Sequence, residues 1–192
     1  MTASGRRPAT YQDVLAAPPD KVAELIGGEL HLRPRPAAPH ALASSRLGML
    51  LGGPFDLGSG GPGGWVLLDE PELHLGAEVL VPDMAGWRVE SGIRGELQAA
   101  YFSLPPAWVL EVLSPSTQRV DRFLKLPRYH AARVQHVWLV DPVGRSVEVF
   151  RWEEAGWLLV ATAEGAQEVR LEPFDAVGLD LGKVWGVEAN GS

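Results

Sequence analysis

Two carboxylates stand where a folded chain has little use for charge. Asp83 follows the apolar run Val79-Leu80-Val81 across Pro82, and Glu111 lies inside Trp108-Val109-Leu110-Glu111-Val112-Leu113. A carboxylate within a buried strand is costly unless it is paired, hydrogen-bonded or metal-bound, and Glu is rarely buried without such a partner. The ordinary alternative for Glu111 is a strand end neutralised by an arginine. A second acid beside another apolar strand weakens that alternative. Two carboxylates converging from neighbouring strands make a hard-oxygen site for Mg2+ or Mn2+, which binds through one or two carboxylates, waters and substrate phosphate. An ion held in this way polarises a phosphoryl oxygen and lowers the pKa of bound water, chemistry that suits phosphodiester hydrolysis.

The segment after Glu111 adds positive charge. Between Thr117 and Gln135 the bases Arg119, Arg122, Lys125, Arg128 and Arg133 face only one acid, Asp121, in a chain whose net charge is −7. Such a helix can form a local phosphate-facing patch, with Arg119, Arg122 and Arg128 as candidates for contacting nucleic acid. The competing reading is a solvated face in which Asp121 and Lys125 form an ordinary i,i+4 pair. Lys125 is one of three lysines in an arginine-rich chain. An ammonium is a point charge where a guanidinium is a planar fork, which favours Lys125 for touching a scissile phosphate or orienting water.

The elements that must position these groups follow from pattern and punctuation. Residues 1–10 read as a flexible leader, residues 11–185 as a single domain and residues 186–192 as a flexible tail. Tyr11 to Ile26 reads as a helix in two pieces, divided at Pro18-Pro19, capped at Asp20 and ended by Gly27-Gly28. Glu29 to Arg33 is a short strand and His40 to Leu51 a helix. The Gly/Pro-rich stretch 52–64 is a surface loop. It cannot be a phosphate-binding loop, because Trp65 and Val66 follow where a Lys and a Ser or Thr are needed.

Trp65–Asp69, Glu72–Leu75 and Glu78–Val81 read as strands, residues 90–104 as irregular, and 108–113 as a central strand covered on both faces. A helix over about 119–133 contains Pro127, which must kink or divide it. His136–Val140 is a strand. Asp141-Pro142-Val143-Gly144 then turns the chain into a hairpin partner at Ser146–Trp152, with Trp157–Ala161 extending the sheet. The expected class is α/β (α+β): a mixed β-sheet flanked by helices, with an added C-terminal β-hairpin.

These residues resemble a known pattern. Pro82-Asp83, then Glu111-Val112-Leu113-Ser114-Pro115-Ser116-Thr117, then Asp121, Lys125 and Tyr129, then His136-Val137-Trp138-Leu139-Val140-Asp141-Pro142, resemble the PD-(D/E)XK nuclease superfamily. More closely they resemble the Uma-two family of bacterial domains grouped with restriction endonucleases. Glu24-Leu25-Ile26-Gly27-Gly28-Glu29-Leu30 matches that family's N-terminal pattern, so the resemblance spans about residues 11–160. It implies a restriction-endonuclease-like core and metal ligation by Asp83, Glu111 and the backbone carbonyl of Val112. It also implies a DNA substrate and a homo-oligomer, dimeric or higher. The superfamily's lysine normally sits two residues after the acid, where this chain has Leu113, so its role moves to Lys125. Glu29, His40 and Tyr129 are auxiliary candidates.

Composition limits the alternatives. There is no Cys, so any metal is held by oxygen or imidazole ligands. No signal peptide or membrane-length apolar run is visible, which makes a cytoplasmic location the expectation. A single Asn and sixteen Pro suit a thermophile or a GC-rich genome equally. A non-catalytic binding module that keeps the nuclease fold is the second functional reading, motivated by Leu113 and the acidic total. A third is a two-carboxylate glycoside hydrolase with Trp87 and Trp108 as sugar-binding walls, although the basic helix has no purpose in it. The seven Trp suit an interface as well as a core.

Overall fold

The computed structural model describes residues 7–186. Of the expected leader and tail, residues 1–6 and 187–192 lie outside the described residues. Residues 7–10 are tied down: the Ala9 N–H donates to the Gly28 carbonyl at 2.8 Å, and Arg7 pairs with Asp13 at 2.6 Å.

The chain opens with helix α1 (Tyr11–Leu15), and the structure then departs from expectation. Residues 20–26 are not a second helical piece. Val22–Ile26 is strand β1, paired antiparallel with β2 (Glu29–Arg33). The reason lies in Gly27-Gly28, whose φ values of 61° and 78° build a two-residue hairpin turn with both central residues left-handed. Gly28→Val is expected to destabilise the protein by about 1–2 kcal/mol in urea unfolding, from the left-handed backbone alone. A Cβ there meets nothing closer than Pro8 Cβ at 3.7 Å, so crowding does not confuse the result. A loss of only a few tenths would mean the turn is not so constrained.

Helix α2 (Ala38–Leu51) runs into a π-type turn, Gly52–Asp56, which takes the first part of the expected loop. Phe55 anchors that turn, buried 4.7 Å from the Phe174 ring centroid. Strands β3 (Trp65–Asp69), β4 (Leu73–Leu75) and β5 (Glu78–Leu80) fall within one residue of the expected strands. Strand β6 (Met84–Arg88) was not anticipated. Met-Ala-Gly-Trp-Arg lacks the β-branched residues that signal a strand. Gly86 is required there, since a Cβ would stand 2.7 Å from Leu67 Cδ2 and 3.1 Å from the Trp108 ring.

Strand β7 (Trp108–Val112) leads to a helical segment, α3 (Gln118–Val120), a π-type turn Asp121–Lys125, and α4 (Leu126–Ala131). Pro127 sits in the first turn after the π segment, where its missing N–H is tolerated. β8 (His136–Asp141), β9 (Ser146–Glu153) and β10 (Gly156–Glu164) form the expected strand and hairpin. A short pair, β11 (Glu168–Val169) and β12 (Leu179–Asp180), and helix α5 (Leu181–Trp185) complete the fold.

Six strands form the main sheet in the order β10-β9-β8-β7-β6-β3, and β2-β1-β5-β4 form a smaller sheet. β7 is parallel to β8 and antiparallel to β6, so the main sheet is mixed. Side chains of β7 alternate between two cores. Trp108, Leu110 and Val112 face one core with Leu47, Leu51 and Phe174. Val109 and Leu113 face the other with Tyr129, Leu80 and Ile26. The second core is thus closed by the 118–131 helical segment and the smaller sheet, and Glu111 points into it. Four of the seven tryptophans, Trp65, Trp87, Trp108 and Trp138, are fully buried and serve the core. Trp87 and Trp108, at 0% exposure, cannot wall a sugar site, which removes the glycoside reading.

Candidate active site

Register brings the two predicted acids together. The last ladder pair between β6 and β7 is Met84↔Leu110, so one step further Asp83 stands opposite Glu111 on the same sheet face. The Val112 N–H donates to Asp83 Oδ2 at 2.6 Å.

The 118–131 segment delivers Lys125 to the same place. Its Nζ lies 2.7 Å from Glu111 Oε1, 2.9 Å from Glu24 Oε1 and 3.2 Å from the Val81 carbonyl. Asp121, one turn earlier, stands 3.9 Å from it, and Tyr129, one turn later, donates its hydroxyl to Glu111 Oε1 at 2.6 Å. The π-type turn between Asp121 and Lys125 adds a residue to the turn, a distortion that recurs at functional sites. Asp121, Lys125 and Tyr129 are all buried.

Glu24 and Arg33 complete the cluster from the smaller sheet. Glu24 is fully buried on β1; its Oε1 accepts the Val81 N–H at 2.8 Å, and its Oε2 lies 3.0 Å from Arg33 Nε. Arg33 also donates to the Val81 carbonyl and stands 3.7 Å from Asp83. His40, on α2, places Nε2 3.3 Å from Asp83 Oδ2. Its buried Nδ1 has no hydrogen-bond partner among the described residues.

Not every candidate reaches the cluster. Glu29 is exposed at the start of β2, opposite Ile26 at the hairpin turn. Arg122 is bound to Glu148 at 2.6 Å, and Arg128 stands 3.7 Å from Glu78. Only Arg119 of the three is exposed. The residues that sequence reasoning missed as site groups are Glu24, Arg33 and Asp121.

Four buried carboxylates, Glu24, Asp83, Glu111 and Asp121, face two permanent cations, Arg33 and Lys125. Two negative charges remain for protons or another cation to balance. The imbalance is unevenly distributed. Burial opposes charge on Glu24, but Lys125 and Arg33 outweigh it and hold the carboxyl below its ordinary range. Asp83 is likewise held low against burial, by His40, then Arg33 and Lys125. Glu111 is pushed up to about 8, first by burial and then by the neighbouring Asp121 and Asp83, against the pull of Lys125 and Arg33. Both glutamates touch Lys125, yet only Glu24 has a second cation in contact. Burial raises Asp121 as well.

These groups suit a hard divalent cation. Glu111 Oε2 and Asp121 Oδ1 are buried without a hydrogen-bond partner among the described residues. Among those residues no three His, Asp or Glu side chains form a ready-made metal cage. An ion bound there would have to draw its remaining ligands from water and phosphate.

The chain is similar to known proteins in family and in fold. The model of the Uma2 family, described as "Putative restriction endonuclease", matches residues 8–182. The fold matches a crystal structure from Anabaena variabilis, described as that of a "putative nuclease belonging to DUF820". Its TM-score is 0.70 at 20% sequence identity, covering 94% of this chain and 99% of the other. No curated protein matches. No helix among the described residues is long and apolar enough to cross a membrane.

Proposed function

This chain belongs to the Uma2 family, and on that premise we propose that it is a DNA endonuclease dependent on Mg2+ or Mn2+. The observation that carries the reading is a buried carboxylate pair, Asp83 and Glu111, on one sheet face with the Lys125 ammonium against it. Asp83 and Glu111 are the residues that would hold the ion. When bound, it would supply charge stabilisation at the phosphoryl oxygens and a more acidic water.

The chain's own groups have definable tasks. Arg33 and His40 keep Asp83 ionised and oriented. Tyr129 fixes Glu111 through Oε1, which leaves Oε2 free to ligate. Lys125 has three donors and three oxygens within 3.2 Å, so contact with a phosphate requires it to release one. The bond to Glu111 is the one a bound ion would make releasable, because a cation on that carboxylate would supply the charge that Lys125 gives up. Freed from Glu111, the ammonium can neutralise charge developing on the phosphate while Glu24 and the Val81 carbonyl hold it in place.

Asp83→Asn preserves size while removing the charge. It is expected to lower DNA cleavage in Mn2+ by at least ~100-fold, the scale of losing an electrostatic group at a reacting phosphate, while circular dichroism stays native. Cleavage equal to wild type would end the assignment. A second reading, a binding module that keeps the fold without catalysis, draws on Leu113 in the superfamily's usual lysine position and on the internal neutralisation of Glu24. The same assay separates the two, since that reading predicts DNA binding with no cleavage by either protein. Family analogy also carries the expectation of a homo-oligomer. The edge strand β10, with Leu158 and Leu159 about half exposed, is a surface on which copies can meet.

A further inference from the structure

The reacting groups are deeper than a double helix can reach. Asp83 is 3% exposed, Glu111 1% and Lys125 0%. Solvent approaches Asp83 through two adjoining clefts of 530 and 260 Å3, and the exposed Arg35-Pro36 segment lines both. Asp83 and His40 line both clefts, whereas Glu111 and Lys125 line neither. A scissile phosphate must therefore leave the surface and pass the Arg35-Pro36 segment.

Volume and charge at the entrance point the same way. Cavities of about 300–1,000 Å3 accommodate a molecule of drug size, which is the scale of a nucleotide and not of a duplex. Duplex DNA is a stiff rod with a persistence length of about 50 nm, so it cannot fold a single phosphate inward without unstacking. Extruding a nucleotide from a pair costs a few kcal/mol, least where the strand is already unpaired. The rim is no duplex-binding surface either. Lys21 and Arg35 are offset by Asp20, Asp69 and Glu70, in a chain of net charge −7. Of the arginines in the 118–131 segment only Arg119 adds to the field, because Arg122 and Arg128 lie beside Glu148 and Glu78. Duplex DNA presents one negative charge per ~1.7 Å of axis against ~3.4 Å for one strand, so a rim of mixed charge opposes the duplex more than the single strand.

We propose that the substrate is an unpaired DNA strand, a single strand or the single-stranded part of a branched or tailed duplex. It would be threaded one nucleotide at a time past Arg35 to Asp83. This rests on the nuclease reading above and narrows its substrate class. Arg35 is the entry residue: exposed, beside both clefts, and without an ion-pair partner among the described residues.

The test uses the full chain and one labelled oligonucleotide in three forms: single strand, blunt duplex, and duplex with a single-stranded tail. Cleavage is followed in Mn2+, and binding is followed separately by fluorescence anisotropy in Ca2+. The single strand and the tail are expected to be cut, and the single strand bound, at least ~10-fold better than the blunt duplex, since only the duplex must unpair to enter. Arg35→Ala is expected to weaken single-strand binding. Blunt duplex bound or cut as well as the single strand overturns the proposal, as does a single strand that does not bind or an Arg35→Ala protein that binds it unchanged. Preferential binding of the single strand with no cleavage of any form supports this substrate class and instead removes the catalytic reading.

Discussion

Lys125→Met is expected to cost about 3–5 kcal/mol of stability in urea unfolding above pH 8, where Glu111 is ionised, the range for removing one partner of a buried ion pair. Methionine keeps the length and apolar volume of the stem, so the loss reports the ammonium and not a cavity. What remains is three buried carboxylates within the former reach of one cation: Glu24 at 2.9 Å, Glu111 at 2.7 Å and Asp121 at 3.9 Å. They do not depend on it equally. Glu24 keeps Arg33 at 3.0 Å and the Val81 N–H at 2.8 Å. Glu111 keeps only the Tyr129 hydroxyl, so it suffers most.

A double-mutant cycle tests that ranking. Adding Glu111→Gln to Lys125→Met removes the carboxylate left with the fewest partners, and the double variant is expected to be more stable than Lys125→Met alone. Adding Glu24→Gln is expected to recover less, because it strands Arg33 in turn. Interaction energies between groups in contact run to about 0.5–3 kcal/mol, large enough to resolve. A Lys125→Met protein that loses less than about 1 kcal/mol would mean the ammonium is not what offsets these carboxylates. Cleavage is expected to fail in all three variants, so stability is the informative readout.

Five of the eight residues in this cluster, Asp83, Glu111, Lys125, His40 and Tyr129, are legible in the sequence and three are not, and the reason for the division is physical. Glu111 was conspicuous because a charge interrupts an apolar run, and Lys125 because lysine is rare in this chain. Glu24 was hidden by the wrong period. On a helix over residues 20–26 it belongs to a polar face, whereas on β1 it turns into the second core. The hairpin signal that would have exposed it was present: Gly-Gly between Val-Ala-Glu-Leu-Ile and Glu-Leu-His-Leu-Arg. In sequence, Asp121 fits one half of a surface i,i+4 pair with Lys125. The pair exists, but it faces inward. The basic helix misled in the opposite sense. Arg122 and Arg128 find Glu148 and Glu78, carboxylates 26 and 50 residues away in the chain that local charge patterning cannot see. Most strands were legible by alternation or apolar runs, and β6 was lost because Gly86 is there for close approach and not for propensity.

The metal-free protein is expected to lose stability at Glu111 as pH rises from about 5 to 8. The carboxyl of the unfolded chain titrates at its ordinary 4.5, while in the folded protein it is pushed up to about 8. Between those values the folded state holds a proton that the unfolded state has released. The slope of unfolding free energy against pH is therefore negative until both forms are ionised. Asp121, also raised by burial, acts in the same direction. Glu24 and Asp83, held low, act only on the acid side, where their stabilisation is lost as pH falls. His136 opposes the trend near neutrality, because burial depresses its imidazole and its stabilising effect appears as pH rises. The whole-protein curve is thus a composite, and the difference between wild type and Glu111→Gln isolates the wanted group. That difference is expected to fall by several kcal/mol across the window. A divalent ion competes with this proton for the same carboxylate, so Mn2+ is expected to raise the melting temperature more at pH 8 than at pH 6, and to lose that pH dependence in Glu111→Gln. A wild-type-minus-variant curve that is flat, or that rises between pH 5 and 8, would show that Glu111 is ionised throughout. The two uncompensated charges would then have to be balanced elsewhere in the cluster.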